Sequence, residues 1–369
     1  MEKRRLGKTG LDVSVLGFGG FHLVEIPAAE AARLLGAYLE SGGNYVETAA
    51  GYGDGLSESK IGRALSHRRK DFFLATKSGE RTREGFLEGL DGSLKRLNTD
   101  HVDLMFMHAV QTVEEVDALL GPGGAMEGAV QARAAGKLRF IAISGHGRPD
   151  ALLHALRGYD FDVLMTIFNY YDRFNFPGLE NELLPLCIQK GTGVLAMKAF
   201  GDGWLYRSPV PALRYTLGLP VASVVAGINS EEMLKADLDI VKSFSPMTEK
   251  EKQDLYATAP ELGTYVCRLC AKCKTADFDP QSVFLLEGLY DRQMDDMRIT
   301  DTGVFALRER LKGWFDQTGK ARAEYAALPV KVDPSRDYSG LARLCPHGID
   351  VDRKLKIAHA KLTGDGYIA

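Results

Sequence analysis

Short apolar segments alternate with helical patterns from residue 13 to residue 227, and this alternation limits the possible folds more than any other feature. Eight segments have the length and apolar content of buried parallel strands, at residues 13–19, 44–49, 71–77, 102–108, 138–144, 163–169, 193–199 and 222–227. Helical periodicity separates them, for example at 27–41, 82–98 and 112–121. Eight such repeats predict an α/β fold, a (β/α)8 TIM barrel.

An open doubly wound sheet is the alternative architecture for the same alternation. That fold normally has a G-x-G-x-x-G turn between its first strand and first helix. Gly17, Gly19 and Gly20 lie at this place but do not follow that spacing. The barrel is therefore the preferred interpretation.

The alternation stops after residue 246, and the rest of the chain is rich in helical patterns and in cysteine. Residues 246–259 predict a helix with Thr248 as its N-cap and Glu251 completing a capping box. We expect a barrel domain over residues 1–260 and a mostly helical domain over residues 261–369.

Charge and apolar patterning disfavour two classes of partner. The formal net charge is −3, which does not favour general binding to nucleic acid or to anionic membranes. The N-terminal sequence lacks the continuous apolar run of a secretory signal, and no segment has the length and apolar content of a transmembrane helix. We therefore expect a cytoplasmic protein.

Four polar residues lie at or near the ends of consecutive predicted strands. Glu47 ends the second strand, Tyr52 lies in the loop after it, Lys77 ends the third strand and His108 ends the fourth. TIM barrels hold their active sites at these strand ends, so the four side chains should converge. Lys77 should lower the pKa of the Tyr52 phenol, which could then donate a proton to a carbonyl oxygen. Each residue alone could be structural, but their order favours a catalytic site.

Six motifs follow one another through the predicted barrel: RRLGKTGLDVSVLGFGG, GGNYVETAAGYGDGLSESKIGRAL, FLATK, DLMFMH, GVLAMKAFGDG and VVAGINSEEML. In these motifs the sequence resembles the aldo-keto reductase family. The resemblance implies an NAD(P)-dependent oxidoreductase that interconverts a carbonyl (aldehyde, ketone or sugar-like) and an alcohol. It makes Tyr52 the general acid, Lys77 the residue that tunes it, and His108 the residue that orients the carbonyl. Glu47 stands where the family usually has aspartate, so its pairing with Lys77 must accommodate one more methylene.

The resemblance also implies a nicotinamide cofactor, NADP or NAD, extended across the barrel mouth. The implied cofactor-binding residues are Gly20, Phe21, Ser144, Asn169, Lys198, Phe200, Gly201, Gly227, Asn229, Ser230 and Asp237. Ser230 should also cap the helix that follows it, and the N-terminus of that helix would favour a phosphate. Gly145 and Met165 replace an asparagine and a glutamine usual in the family, so some contacts to the carboxamide should differ.

The cysteines are clustered in the C-terminal third. Cys267, Cys270 and Cys273 follow the spacing C-x2-C-x2-C, and Cys345 precedes a proline. In two-cluster ferredoxins this run continues with a fourth cysteine, before proline, that binds the other cluster. The ligands of a second cluster are missing here, so the four cysteines predict one [4Fe–4S] cluster in a ferredoxin-like domain, similar to an iron–sulfur branch of the aldo-keto reductases. A zinc site with four cysteine ligands and a set of four unligated thiols are the alternatives. Cys187 should be a buried apolar residue of a helix.

Two further functions compete with the reductase. One is a nicotinamide-binding regulatory subunit, favoured by Glu47 and by the altered carboxamide contacts. The other is an electron-transfer component that uses the cluster. The expected partners are a small carbonyl or alcohol substrate and, as a further candidate, a redox protein. Neither nucleic acid nor a membrane is expected.

Overall fold

The computed structural model describes residues 1–295, 306–311 and 317–364. Eight strands in these ranges form a closed barrel in which every neighbouring pair is parallel. We number them β1 to β8 in chain order: Leu16–Gly19, Tyr45–Glu47, Phe73–Ser78, Val102–Met107, Leu138–Ser144, Val163–Ile167, Gly193–Met197 and Ser223–Gly227. Strand β8 pairs with both β7 and β1, which closes the barrel. The predicted barrel is confirmed, and the open sheet is excluded.

Nine helices, α1 to α9, accompany the strands within the part of the chain just given. Their bounds are Ala28–Glu40, Leu56–Leu65, Arg83–Leu97, Val113–Leu120, Ala125–Ala134, Pro149–Gly158, Leu184–Lys190, Pro209–Leu217 and Glu231–Lys242. Thr82, Thr112 and Ser230 begin α3, α4 and α9, and each hydroxyl accepts the backbone N–H three residues on. The predicted helices are confirmed, and Pro27 lies just before α1.

A hairpin that the sequence analysis did not predict precedes the barrel. Its strands, Lys3–Arg5 and Asp12–Ser14, pair antiparallel. The predicted first strand, at residues 13–19, is therefore divided between the second strand of this hairpin and β1. Leu6, between them, belongs to the apolar cluster of the barrel interior. A Cβ on Gly7 would lie 2.3 Å from the backbone nitrogen of Gly193, where β7 begins. The hairpin therefore closes the N-terminal end of the barrel, opposite the strand ends that carry the predicted site.

The described residues beyond the barrel include five more helices, α10 to α14. Their bounds are Glu249–Thr258, Pro280–Asp291, Thr318–Ala327, Ser339–Ala342 and Val351–Thr363. Thr248 and Glu251 form the predicted capping box at the start of α10. Phe284, Tyr325 and Leu355 belong to a separate apolar core in this region.

Contacts divide the chain into two compact units. The first is Met1–Phe168, Gly178–Ala199 and Val210–Pro246, and the second is Asn169–Pro177, Phe200–Pro209 and Met247–Ala369. The second unit thus contains the loops after β6 and β7 together with the C-terminal helices. The predicted domain boundary at residue 260 stays a prediction. No helix in the described ranges has the length and apolar character needed to cross a membrane.

Candidate active site

The ends of β2, β3 and β4 bring Glu47, Tyr52, Lys77 and His108 together. The Nζ atom of Lys77 donates hydrogen bonds to the hydroxyl of Tyr52 at 2.9 Å, to the carbonyl of Thr48 at 2.9 Å and to the carboxylate of Glu47. The side chains of Lys77 and Glu47 are only 2% and 5% exposed. The ammonium therefore joins the phenol to the carboxylate inside the barrel mouth.

The glutamate at position 47 pairs with Lys77 despite its extra methylene. Strands β2 and β3 are neighbours, with Glu47 opposite Ala75, and Lys77 lies two residues further along β3. Side chains two residues apart on a strand share a face, so Lys77 points to the same side of the sheet as Ala75. Burial raises the pKa of the Glu47 carboxyl, and the charge and hydrogen bond of Lys77 oppose that rise. Each buried charge thus depends on the other for its stability.

The pKa of Tyr52 is set mainly by burial. Burial raises it above the ordinary value of 10, Glu47 raises it further, and Lys77 lowers it without outweighing these effects. Lys77 therefore acts in the predicted direction on the Tyr52 pKa, but burial and Glu47 outweigh it, so the net pKa is raised. Burial also lowers the pKa of Lys77, but Glu47 and Tyr52 together outweigh this and raise it. The pair consists of a protonated phenol beside a charged ammonium.

The turn that presents Tyr52 has glycine at two of three consecutive left-handed positions. Gly53, Asp54 and Gly55 have φ angles of 60°, 51° and 84°, a conformation that residues with a Cβ rarely adopt. The ring of Phe21 lies edge-on to the ring of Tyr52, with centroids 5.1 Å apart. The sequence G-Y-G-D-G thereby folds back on itself and holds the phenol at the end of β2.

His108 follows β4 and lies beside Tyr52, with ring centroids 5.8 Å apart. Its backbone N–H donates to Ser78 at 2.8 Å, and the Arg81 side chain donates to its carbonyl at 2.8 Å. Burial, helped by the charge of Lys77, lowers the pKa of His108 to about 2. The imidazole is therefore neutral and carries one N–H that can donate to a carbonyl oxygen.

A second histidine, His146, which was not predicted from the sequence, lies in this neighbourhood. It lies two residues beyond Ser144, the last residue of β5. Burial, followed by the charges of Lys198 and Lys77, lowers the pKa of His146 to about 3. Its position just after a strand end, as for His108, was the available signal. The mouth of the barrel thus holds two neutral imidazoles beside two lysines.

We expect the free energy of unfolding to fall as the pH falls below about 7. The pKa of His108 is about 2 in the folded protein and 6.5 in the unfolded chain. Between pH 2 and pH 6.5 the unfolded chain therefore binds more protons than the folded protein. The loss for His108 should reach at most about 1.4 kcal/mol per pH unit, and His146 should add to it in the same direction. Urea denaturation at pH 7, 6 and 5 measures this slope. His108→Asn should reduce the slope; an identical slope in that variant would contradict the assignment of a neutral buried His108.

Eight of the predicted cofactor residues belong to the first unit. Seven lie at or just beyond strand ends, and they are Gly20, Phe21, Ser144, Lys198, Gly227, Asn229 and Ser230, whereas Asp237 lies within α9. The Ser144 hydroxyl accepts the backbone N–H of Ala109 at 3.2 Å, which ties the end of β5 to the loop after β4. A Cβ on Gly227, the last residue of β8, would lie 2.4 Å from the ring of His22, so a larger residue there would displace that ring.

The segment after β8 combines hydrogen-bonding groups with a helix N-terminus. Asn229 donates to Glu25 at 2.8 Å, and Ser230 caps α9 by accepting the backbone N–H of Met233 at 3.2 Å. The predicted cap is confirmed. Burial raises the pKa of Asp237, on the second turn of α9, to about 7. In TIM barrels the loops after the last two strands commonly bind phosphate groups.

Asn169, Phe200 and Gly201, also predicted to bind the cofactor, belong to the second unit. The side-chain oxygen of Asn169 accepts the backbone N–H groups of Tyr171 and Asp172 at 3.0 and 2.8 Å, and its Nδ2 donates to Asp172 at 2.7 Å. Asn169 therefore holds the turn after β6 in shape. Phe200 and Gly201 open the turn after β7, where Gly201 has a φ of 59°.

A sequence model of the Aldo/keto reductase family matches residues 15–215, more than half of the chain. The chain belongs to this family. The match spans the strands that carry Glu47, Tyr52, Lys77 and His108, and it ends before the cysteine-rich region. Membership makes the chain an NAD(P)-dependent oxidoreductase that interconverts carbonyl and alcohol groups.

Individual relatives are similar over much of their length. YqkF of Bacillus subtilis, an uncharacterized oxidoreductase, is 26% identical over an alignment of 315 positions, and the match covers 69% of this chain and 98% of that protein. The D-threo-aldose 1-dehydrogenase of Pseudomonas sp. is 30% identical over an alignment of 245 positions, and the match covers 57% of this chain and 73% of that protein. The holo form of aldo-keto reductase AKR11C1 from Bacillus halodurans has a TM-score of 0.59 and 29% identity, covering 69% of this chain and 94% of its own.

In this aldo/keto reductase, Cys267, Cys270, Cys273 and Cys345 line one small cavity of the second unit. Within residues 1–295, 306–311 and 317–364, no three histidine, cysteine, aspartate or glutamate side chains are grouped as a metal site. The predicted cluster is therefore not shown, and it stays a prediction. What the structure does show is that the distant Cys345 reaches the same cavity as the other three.

The backbone around the first cysteines is tightly curved. Leu269 and Ala271 have φ angles of 54° and 60°, and the backbone N–H of Leu269 points to the sulfur of Cys267 at 3.4 Å. The Arg268 side chain is buried and donates to the carbonyls of Tyr256 at 3.0 Å and Gly263 at 2.8 Å. These hydrogen bonds fix the cysteine segment to the chain that precedes it.

The fifth cysteine, Cys187, is separate from these four. It lies in α7 and is fully buried, as predicted for a small apolar residue of a helix. It belongs to the first unit, whereas the other four belong to the second. Cys187 is therefore a natural control for experiments on the cysteine cavity.

Proposed function

We propose that Tyr52 is the general acid of this reductase, with Lys77, Glu47 and His108 as its supporting residues. The observation that carries the proposal is the 2.9 Å hydrogen bond from Lys77 Nζ to the Tyr52 hydroxyl. Behind it, the buried carboxylate of Glu47 keeps the ammonium charged and in place. A phenol with this partner can release its proton because the phenolate that forms faces a fixed positive charge.

The roles of the side chains follow from their charges. When bound, the nicotinamide cofactor supplies or accepts the hydride. Tyr52 donates a proton to the carbonyl oxygen during reduction and takes it back during oxidation of the alcohol. The neutral His108 donates its imidazole N–H to the same oxygen, which favours the oxyanion-like transition state over the ground state. Because burial raises the pKa of Tyr52, the phenol is protonated and ready at neutral pH.

NADP or NAD is the proposed cofactor. One feature of the structure fits such a ligand: the capped N-terminus of α9 at Ser230. We assign contacts to the residues implied by the family resemblance, which are Gly20, Phe21, Ser144, Asn169, Lys198, Phe200, Gly201, Gly227, Asn229, Ser230 and Asp237.

The proposed substrate is a small aldehyde, ketone or sugar-like compound. A relative that is a D-threo-aldose 1-dehydrogenase supports the sugar-like class. The test is a panel of aldoses and small aldehydes with NADH and NADPH, and of the corresponding alcohols or lactols with the oxidised cofactors, followed by cofactor absorbance. Cofactor binding without turnover on the whole panel would contradict the proposal and favour a nicotinamide-binding regulatory subunit.

We further propose that residues 261–369 form a ferredoxin-like domain and that Cys267, Cys270, Cys273 and Cys345 hold one [4Fe–4S] cluster. Three observations support this: the C-x2-C-x2-C spacing, the shared cavity, and the N–H···S hydrogen bond at Cys267. Four thiolates supply the complete ligand set of such a cluster. When bound, such a cluster would supply one-electron transfer or would stabilise the fold of the domain, and both roles fit equally.

Anaerobically purified protein should contain about four iron and four sulfide ions per chain and show a broad visible absorption band. Cys270→Ala should abolish iron binding because it removes a ligand, and Cys270 is the exposed member of the set, so the fold should tolerate the change. Cys187→Ala, the matched control, should retain full iron. Stoichiometric zinc in place of iron would contradict the proposal, as would undiminished iron in Cys270→Ala.

A further inference from the structure

At the end of α11 the chain makes a turn in which two large polar residues take a left-handed backbone conformation. Arg292 has a φ of 63° and Gln293 a φ of 57°, and the two residues are 2% and 1% exposed. This conformation is strained for residues with a Cβ, and it persists only where the surrounding structure imposes it. The partners of these two side chains identify what imposes the turn.

Gln293 connects the first cysteine of the cavity to the loop after β6. Its Oε1 accepts the backbone N–H of Cys267 at 2.8 Å. Its Nε2 donates to Asn175 Oδ1 at 3.1 Å and to the carbonyl of Phe174 at 3.4 Å. A Cβ on Gly288 of α11 would lie 3.0 Å from Asn175 Oδ1, so the helix and this loop approach closely. One buried carboxamide thus links the cysteine segment directly to the loop.

Arg292 holds the same loop at an earlier point. Its Nε donates to Asp172 Oδ1 at 2.8 Å, and a second N–H donates to the other oxygen of that carboxylate. Its carbonyl accepts the hydroxyl of Tyr171 at 2.8 Å. Asp172 also accepts Nδ2 of Asn169 at 2.7 Å, and a third Arg292 nitrogen donates to Asp202, after β7, at 3.4 Å. A bidentate buried pair of this kind fixes orientation as well as distance.

We infer that Arg292 and Gln293 are positioning residues that couple occupancy of the cysteine site to binding of the nicotinamide cofactor. This inference rests on the proposed function, with a cluster at the four cysteines and the cofactor near Asn169. The loops after β6 and β7 carry Asn169, Phe200 and Gly201, and the turn at 292–293 holds both loops.

The coupling has a direct physical cause. A metal centre orders the segment that supplies its ligands, so the cluster fixes the backbone N–H of Cys267 that Gln293 accepts. Without the cluster this support weakens, and the loop carrying Asn169 must be ordered when the cofactor binds. The affinity for the cofactor is then lower, because binding must also order the loop and ordering it costs conformational entropy.

The test compares protein carrying the cluster with protein stripped of iron by a chelator, both anaerobic, titrated with NADH and NADPH by fluorescence. We expect stripping to weaken binding of the preferred cofactor about 5- to 150-fold, the usual range of coupling between two sites. Coupling is reciprocal, so saturating cofactor should reduce equilibrium loss of iron to the chelator by the same factor.

Two substitutions test the link itself. Gln293→Met keeps the side-chain length but removes all three hydrogen bonds, so the cluster-loaded variant should bind the cofactor as weakly as stripped wild-type protein. Gln131→Met, at an exposed position of α5, should retain the full difference between loaded and stripped protein. Should Gln293→Met fail to fold, Asn175→Ala breaks the same link from the loop side.

Equal cofactor affinity with and without the cluster in wild-type protein would overturn the coupling and leave the proposed function intact. A loaded Gln293→Met protein with wild-type affinity would overturn the role of this residue. Failure to bind iron, or to bind either cofactor in any form, would refute the proposed function and the coupling together.

Discussion

Replacing Tyr52 with phenylalanine is expected to lower kcat by about 10²- to 10⁴-fold, the usual contribution of a general acid, while the cofactor dissociation constant stays unchanged. The change removes one oxygen that accepts from Lys77 at 2.9 Å and leaves the ring against Phe21. Steady-state kinetics on the best substrate of the panel, with cofactor binding measured by fluorescence, separate the two effects.

Tyr159→Phe is the matched control for this substitution. Tyr159 directly follows α6 and packs against Phe161, away from the catalytic residues, so the variant should keep wild-type kcat. Full activity of Tyr52→Phe would remove Tyr52 from the mechanism. Parallel loss of activity and of cofactor binding would show a binding role for Tyr52 instead of a general acid.

Lys77→Met should lower the free energy of unfolding by about 3–5 kcal/mol, in addition to abolishing turnover. The variant leaves the carboxylate of Glu47, only 5% exposed, without its cation. An uncompensated buried charge is far more costly than an absent pair. Urea denaturation at pH 7 measures the loss.

The double variant Glu47→Leu, Lys77→Met should recover most of that stability but none of the activity, because an apolar pair needs no mutual compensation. Lys70→Met, at an exposed position, controls for the loss of a lysine and should change stability little. A double variant as unstable as Lys77→Met alone would show that the stabilising effect of Lys77 does not come from its pairing with Glu47.

The barrel and its four catalytic candidates could be predicted because both depend on local pattern. Each strand is short and apolar, and the ends of parallel strands meet at one edge, so Glu47, Lys77 and His108 had to be close. The N-terminal hairpin could not be predicted in this way. Its strands, Lys3–Arg5 and Asp12–Ser14, are three residues long and carry charges.

Burial and pairing between distant residues could not be predicted from a single sequence. The pKa of Tyr52 is raised because its site is deep, and depth follows from packing rather than from neighbours in the chain. Arg292 and Gln293 look like surface residues in the sequence, yet they are buried, and two of their partners, Asp172 and Asn175, lie more than a hundred residues away. The same applies to His146, whose shifted pKa depends on Lys198 and Lys77.

The hairpin that closes the N-terminal end of the barrel has a consequence for how this protein can change over evolution. Leu6 packs in the barrel interior at its N-terminal end, while Tyr52 and His108 lie at the opposite, C-terminal end of the strands. Substitutions in the hairpin should therefore alter how long the protein survives in the cell and leave its choice of substrate alone. Most substitutions in the loops at the opposite end, including those that allow new substrates, lower the free energy of unfolding. The protein tolerates them while the closed N-terminal end keeps the fold stable enough.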